Sequence, residues 1–159
     1  MKTSKIILLT IFFTFLGLIV YYFYPEKKLT DGQKADKIVI NKSKHELLLY
    51  YNAELIANYN VSLSCKGLDK KEMIGDSLTP EGRFIGKKRT STNFHKAISV
   101  GKWGECCAVL IHGLGKKYGR FKKFQRWRDW TQGCIALTND EIDEIYKSVN
   151  DGVIIEINP

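Results

Sequence analysis

Two short runs of the chain carry residue types that can do covalent chemistry together. Ile111-His112-Gly113 closes one apolar run, and Thr131-Gln132-Gly133-Cys134-Ile135-Ala136-Leu137 opens another. A cysteine attacks through its thiolate, and a nearby imidazole can take the thiol proton. Gly133 permits a tight bend before the sulfur and leaves space beside it for a substrate. Backbone N–H groups near such a bend can face a developing oxyanion. Gly113 lets the chain turn directly after the histidine. From these residues alone two readings stay open. Either Cys134 and His112 form a reactive pair on neighbouring strands, or they are a buried thiol and a strand-end histidine with ordinary packing roles.

The pair can meet only if rigid elements position both members. Lys37–Asn41, His45–Tyr51 and Leu55–Leu63 read as strands joined by the turn signals Asn41-Lys42-Ser43-Lys44 and Asn52-Ala53-Glu54. Gly82–Gly86, Ala97–Val100, Ala108–Ile111, Gly133–Leu137 and Val153–Ile157 add five more. One helix is expected after Thr138 or Asn139. Asp140 and Glu141 suit its first turn, and Ile142, Ile145, Tyr146 and Val149 recur at helical spacing. The pattern predicts a mainly β domain, a sandwich or barrel with one packed α-helix. A chain of 159 residues, 44% hydrophobic, has room for one such core and not two.

The N-terminus sets the compartment. Ile6 to Tyr24 holds no charged residue and, as a helix, would be roughly 28 Å long, close to a bilayer's hydrocarbon thickness. Lys2 and Lys5 precede it, so the N-terminus is expected on the cytoplasmic side and the remainder outside. A cleaved signal peptide is the rival reading. The bulky aromatic end, Tyr21-Tyr22-Phe23-Tyr24, lacks the small-residue pattern of a cleavage site and favours an anchor. The expected organisation is an anchor over 1–24, a linker over 25–36 and a catalytic domain over 37–159, single-pass and facing the extracytoplasmic side.

The four cysteines are Cys65, Cys106, Cys107 and Cys134. A disulfide from Cys65 to Cys106 or Cys107 would leave Cys134 free. The cysteines lack the paired spacing of a zinc site and the three histidines are scattered, so a zinc site is not expected. His45 and His95 are expected in surface or structural roles.

The stretch Asp129-Trp130-Thr131-Gln132-Gly133-Cys134-Ile135-Ala136-Leu137, with Ile111-His112-Gly113 upstream, resembles the catalytic signature of the L,D-transpeptidase family, the YkuD-type domain. Gly75-Asp76-Ser77-Leu78-Thr79-Pro80-Glu81-Gly82-Arg83-Phe84 resembles that family's second signature, and the matches run in family order over the exported part. The resemblance implies a YkuD-like fold and acyl transfer on peptidoglycan stem peptides, in cell-wall biogenesis and cell shape. It implies Cys134 as nucleophile, His112 as general acid and base, the Gly113 carbonyl as orienter of the ring, and the Cys134 N–H in an oxyanion hole. Gly133 and Thr131 would shape and brace the loop, and no cofactor or metal would be needed. Trimming of stems or release of a linked protein at the same bond, and a silent wall-binding module, are the alternative outcomes.

Two positions depart from the commoner pattern. Gln132 stands where many members carry His, and Ala136 where many carry an Arg able to fork a carboxylate. Replacement cations lie close by in sequence. Lys116, Lys117, Arg120, Lys122, Lys123, Arg126 and Arg128 alternate with Tyr118, Phe121, Phe124, Trp127 and Trp130. Out of context this segment looks like a nucleic-acid or membrane-surface contact, and the expected export of the domain argues against nucleic acid as the partner. It reads either as a solvated basic loop or as a lid that binds anionic stems or lies on the cell membrane. Gln132, Trp130 and Arg128 are its candidates for substrate contact. The sequence names no protein partner.

Overall fold

The computed structural model describes residues 2–25, 27–73, 75–90, 93–101, 109–116 and 118–159. Helix α1, Lys2–Phe23, precedes eight strands: β1 Lys37–Asn41, β2 Glu46–Tyr51, β3 Glu54–Asn60, β4 Gly82–Arg89, β5 Ala97–Val100, β6 Val109–His112, β7 Ile135–Ala136 and β8 Val153–Asn158. Helix α2, Asn139–Ser148, lies between β7 and β8. The predicted Ala108 start of the sixth strand and the Cys65 disulfide to Cys106 or Cys107 fall on positions outside the described residues. Cys65 itself is exposed and free.

The eight strands form one mixed sheet in the order β3-β2-β1-β8-β4-β5-β6-β7. Hairpins make β1-β2-β3 and β4-β5-β6 antiparallel, while β8 enters parallel to β1 and antiparallel to β4. The sheet curls until its ends meet. The chain leaving β3 continues extended, and Ser62 pairs with Ala136 through bonds of 3.0 and 2.9 Å in the two directions. Thr131 N–H donates to Leu63 O and Cys65 N–H to Thr131 O, both at 3.0 Å. The expected barrel-like β fold with a packed helix is therefore present, and this closure covers the edge that β7 would otherwise expose.

Alternation explains the core. In β1, β2 and β8 the residues Ile38, Ile40, Leu47, Leu49, Ile155 and Ile157 turn inward and are buried. Helix α2 supplies Ile142 and Ile145, both fully buried, with Val149 just beyond its end. Its start is a capping box. Thr138 Oγ1 accepts from Glu141 N–H, and the Glu141 carboxylate accepts from Thr138 N–H at 3.1 Å.

Two packing features add to the expected elements, and one expectation needs correction. Within 25–36, Leu29 and Ala35 are buried, and Ala35 N–H donates to Ser148 O at 2.9 Å. Lys42 lies in the expected turn, with its carbonyl accepting from His45 N–H, and is fully buried, with Glu81 at 2.6 Å and the Asp69 carbonyl at 3.1 Å. Pairing is what makes such a burial tolerable. Finally, α2 is not the lone helical element after α1. Gly119–Trp127 forms a 3-10 helix with a break at Lys122 (φ 42°, ψ −122°).

Helix α1 packs almost nothing along its length. Its large side chains from Ile6 to Phe23 are exposed except Tyr22, which is half-buried in the last turn. The Thr10 and Thr14 hydroxyls donate to the carbonyls of Ile6 and Thr10, so both are satisfied within the helix. At about 33 Å it is long and apolar enough to cross a membrane. Length and composition of this kind also suit a signal sequence.

Candidate active site

Strands β6 and β7 run side by side and parallel, with Ile111 opposite Ile135 and His112 opposite Ala136. Ile111 and Ile135 are fully buried and point into the core. By alternation His112 and Ala136 point to the other face, and Cys134, one residue before β7, shares it. The structure thus brings His112 and Cys134 to one face of two adjacent strands, two positions apart in register. Leu137 N–H donates to His112 O at 2.9 Å and locks that register.

The His112 ring is held from both sides. Phe94 lies against it with centroids 3.9 Å apart, and Trp130 meets it edge-on at 6.1 Å. Its Nδ1 is 2.8 Å from the Gly113 carbonyl. A carbonyl only accepts, so Nδ1 carries the proton and Nε2 keeps its lone pair as an acceptor. Burial lowers the His112 pKa, against a smaller opposite effect of the Gly113 carbonyl. Burial also raises the Cys134 pKa, with a hydrogen bond from the Leu110 backbone pulling it partly back. At neutral pH the pair therefore rests as a thiol and a neutral imidazole, not as an ion pair.

The loop before the sulfur is built by close approaches. Gly133 has φ +101°, and a Cβ there would lie 2.7 Å from the Leu78 carbonyl oxygen. Only glycine meets both demands. That contact joins the two stretches of sequence singled out above, since Leu78 precedes Thr79-Pro80. Thr131 is buried, and its hydroxyl donates to the Cys134 carbonyl at 2.7 Å. Gly113 is crowded too: an added Cβ would meet Ile142 Cγ2 at 2.7 Å and Asn139 Oδ1 at 2.8 Å.

The remaining candidates spread out. Trp130 is partly exposed beside His112 and donates from its indole to Gln125 Oε1 at 2.9 Å. Gln132 is exposed on the rim of the loop. Arg128 is exposed, and no contact described here joins it to His112 or Cys134. Ala136 is fully buried opposite His112, so no cation stands at that position.

Of the supporting residues, Asp129 and Asp76 stand inside the two stretches that carry the resemblance, whereas Phe94 carries no recognisable sequence signal. Phe94 sits in a polar loop that lacks periodicity. Asp129 accepts from Leu63 N–H at 2.7 Å and from His45 Nε2 at 2.8 Å, clamping the loop that leads to Thr131. Asp76 caps its own loop. Burial alone would raise its pKa, but Lys71 and the N–H groups of Leu78, Met73 and Glu72 hold it well below the usual carboxylate range. Among the described residues no group of His, Cys, Asp and Glu could hold a metal ion.

A family model described as the L,D-transpeptidase catalytic domain, YkuD, matches residues 35–157. No curated protein matches the sequence. Solved structures share the fold. An L,D-transpeptidase from Mycobacterium smegmatis superposes with a TM-score of 0.57 at 18% identity, over 79% of this chain and 59% of that one. The helical cell shape determining protein Pgp2 from Campylobacter jejuni gives 0.56 at 17%, over 79% and 48%. L,D-transpeptidase 3 from Mycobacterium tuberculosis, in complex with a faropenem-derived adduct, gives 0.58 at 11%, over 79% and 60%. This chain spans about half to three-fifths of the length of those structures.

Proposed function

From the premise that this chain belongs to the family of L,D-transpeptidase catalytic domains, we propose that it is a cysteine acyltransferase acting on peptidoglycan stem peptides. The observation that carries the reading is the β6–β7 pair, which presents His112 and Cys134 on one face with the His112 tautomer set by Gly113. Nε2 of His112 takes the thiol proton as sulfur attacks the carbonyl of the third stem residue. The Cys134 N–H faces the oxyanion that forms. Collapse of the tetrahedral adduct breaks the peptide bond, and His112 returns the proton to the leaving D-alanine amine. The thioester then meets an amine of a second stem. That amine gives up its proton to His112, and the thiol re-forms as the new amide closes. Water in place of the amine yields a trimmed stem.

The resting protonation states suit this order. A thiol and a neutral imidazole need no separated charge in a buried site until substrate arrives. Anchoring of the stem carboxylates falls to Gln132, Trp130 and the basic segment, because Ala136 offers no charge. Helix α1 holds the domain on the extracytoplasmic side of the membrane, where the wall lies, over a catalytic domain spanning 37–159.

The test is acylation by a carbapenem and, on separate untreated enzyme, incubation with purified sacculi. Mass spectrometry should find the adduct on the peptide containing Cys134, and the Cys134→Ala variant should stay unlabelled. Muropeptides joined between third-position residues mark a transpeptidase, and shortened monomers mark the hydrolytic alternative. Sacculi that pull the protein down without any adduct or any change in muropeptides would leave only a wall-binding module.

A further inference from the structure

The basic aromatic segment between β6 and β7, proposed above to help anchor the stem carboxylates, is also where α1 meets the rest of the chain. Residues 116–128 hold seven Lys or Arg side chains and no acidic one. Tyr22 Oη donates to the Arg120 carbonyl at 2.9 Å, and Lys123 Nζ donates to the Tyr24 carbonyl at 2.6 Å. Phe124 packs on Tyr21 and Tyr22, with centroids 5.8 and 5.9 Å apart. Lys122 Nζ sits over the rings of Tyr22 and Phe23 at 5.0 and 5.7 Å.

These contacts fix where the segment stands if α1 spans a bilayer. A helix of about 33 Å crosses a hydrocarbon core of about 30 Å with little to spare. Its last residues, Tyr21 to Phe23, then lie at the headgroup level, and whatever packs on them lies there too. The side chains turned outward from that position are of the kind the interface accepts. Tyr118, Phe121 and Trp127 are 47%, 55% and 68% exposed, while Lys116, Arg120 and Arg128 are exposed around them. Aromatic rings favour the headgroup zone, and cations are drawn to anionic headgroups. In water the same three rings would be an uncovered apolar patch.

We propose that Tyr118–Arg128 is a membrane-docking element that seats on the anionic bilayer surface from which α1 emerges. It rests on the reading of α1 as a span. It also ties the site to that surface, because a chain of rings leads inward. Phe121 touches Tyr118 at 6.3 Å between centroids, Tyr118 touches Trp130 at 6.1 Å, and Trp130 meets His112 at 6.1 Å.

The full chain is reconstituted in phosphatidylglycerol or phosphatidylcholine vesicles that contain lipids brominated near the headgroup end of the acyl chains. The signal of Trp127 is the difference between the wild type and Trp127→Phe. In the phosphatidylglycerol vesicles it should be quenched. The Arg120→Gln/Lys122→Gln variant should lower the docked-to-undocked ratio on the order of thirtyfold. An alkaline wash reports separately on α1. Protein that resists the wash while Trp127 stays unquenched overturns the docking element and leaves the span intact. Protein removed by the wash overturns the span and the docking with it. Quenching that is equal in both lipids, or unchanged in the double variant, overturns the anionic surface as the partner.

Discussion

Strands β6 and β7 and the 22-residue run joining them, from Gly113 to Cys134, differ in almost every physical respect. The strands are short, apolar and buried, with β7 at the end of the sheet order where the chain after β3 covers it. The middle of the connection is cationic, rich in exposed rings, and shaped by a broken 3-10 helix. The difference teaches how the labour would be divided. In the proposed site the base stands on a strand and the thiol directly before one, where packing locks both, while the surface proposed to meet bulky partners sits in the middle of the connection.

The largest expected effect falls on the strand side. His112→Gln removes the base without emptying its space, and acylation by a carbapenem should slow by about a hundredfold to ten-thousandfold. A similar loss from Arg128→Ala in the connection would break the division outright.

Next comes Gly133→Ala. A methyl at φ +101° would press on the Leu78 oxygen, combining backbone strain with overpacking. The cost should be about 2–4 kcal/mol, a fall in melting temperature on the order of 10 °C by calorimetry.

The pH profile sharpens the comparison further. The acylation rate needs neutral His112, whose pKa burial lowers. Its acid limb should therefore lie below the ordinary imidazole value of about 6.5. By the same linkage the unfolded chain takes up the His112 proton first, so stability is fully present above that value and is lost as pH falls through the folded pKa. An acid limb above that value would show that the imidazole rests charged, against an ionised thiol.

Smaller effects follow. Thr131→Val loses the bond to the Cys134 carbonyl and should cost about 1 kcal/mol, with acylation slowed severalfold. Arg128→Ala should weaken the apparent affinity for stem peptides severalfold and leave the carbapenem rate nearly unchanged, as expected of an exposed charge.

Much of this architecture was legible before any coordinates. Lys37–Asn41 and Ala97–Val100 were read with their observed bounds, because alternating β-branched residues between turn signals leave few other options. Helix α2 announced itself through Thr138, Asp140 and Glu141. What stayed hidden shares a cause. The burial of Lys42 within its turn is not legible because its partner Glu81 is distant in sequence, nor is the packing of Leu29 and Ala35, because their partners, Glu144 and Ser148, lie far along the chain. The 3-10 helix is harder to read because its rings, Tyr118, Phe121, Phe124 and Trp127, recur at every third residue rather than at the α-helical period, and because the end of α1 helps to hold them.

Local chemistry, read along the chain, determined which atoms are able to react: a thiol after a glycine, an imidazole before one, and an apolar run of membrane-crossing length. These are properties of residue type and near neighbours, and they survive in an unfolded chain. Only the tertiary structure decided that His112 and Cys134 share a face, which ring nitrogen carries the proton, and that burial lowers the pKa of one and raises that of the other. Each of those depends on groups far apart in sequence, on the β6–β7 register, the Gly113 turn against α2, and the Leu78 carbonyl over Gly133. Sequence spacing does not encode such approaches, because they arise when a curled sheet closes on itself.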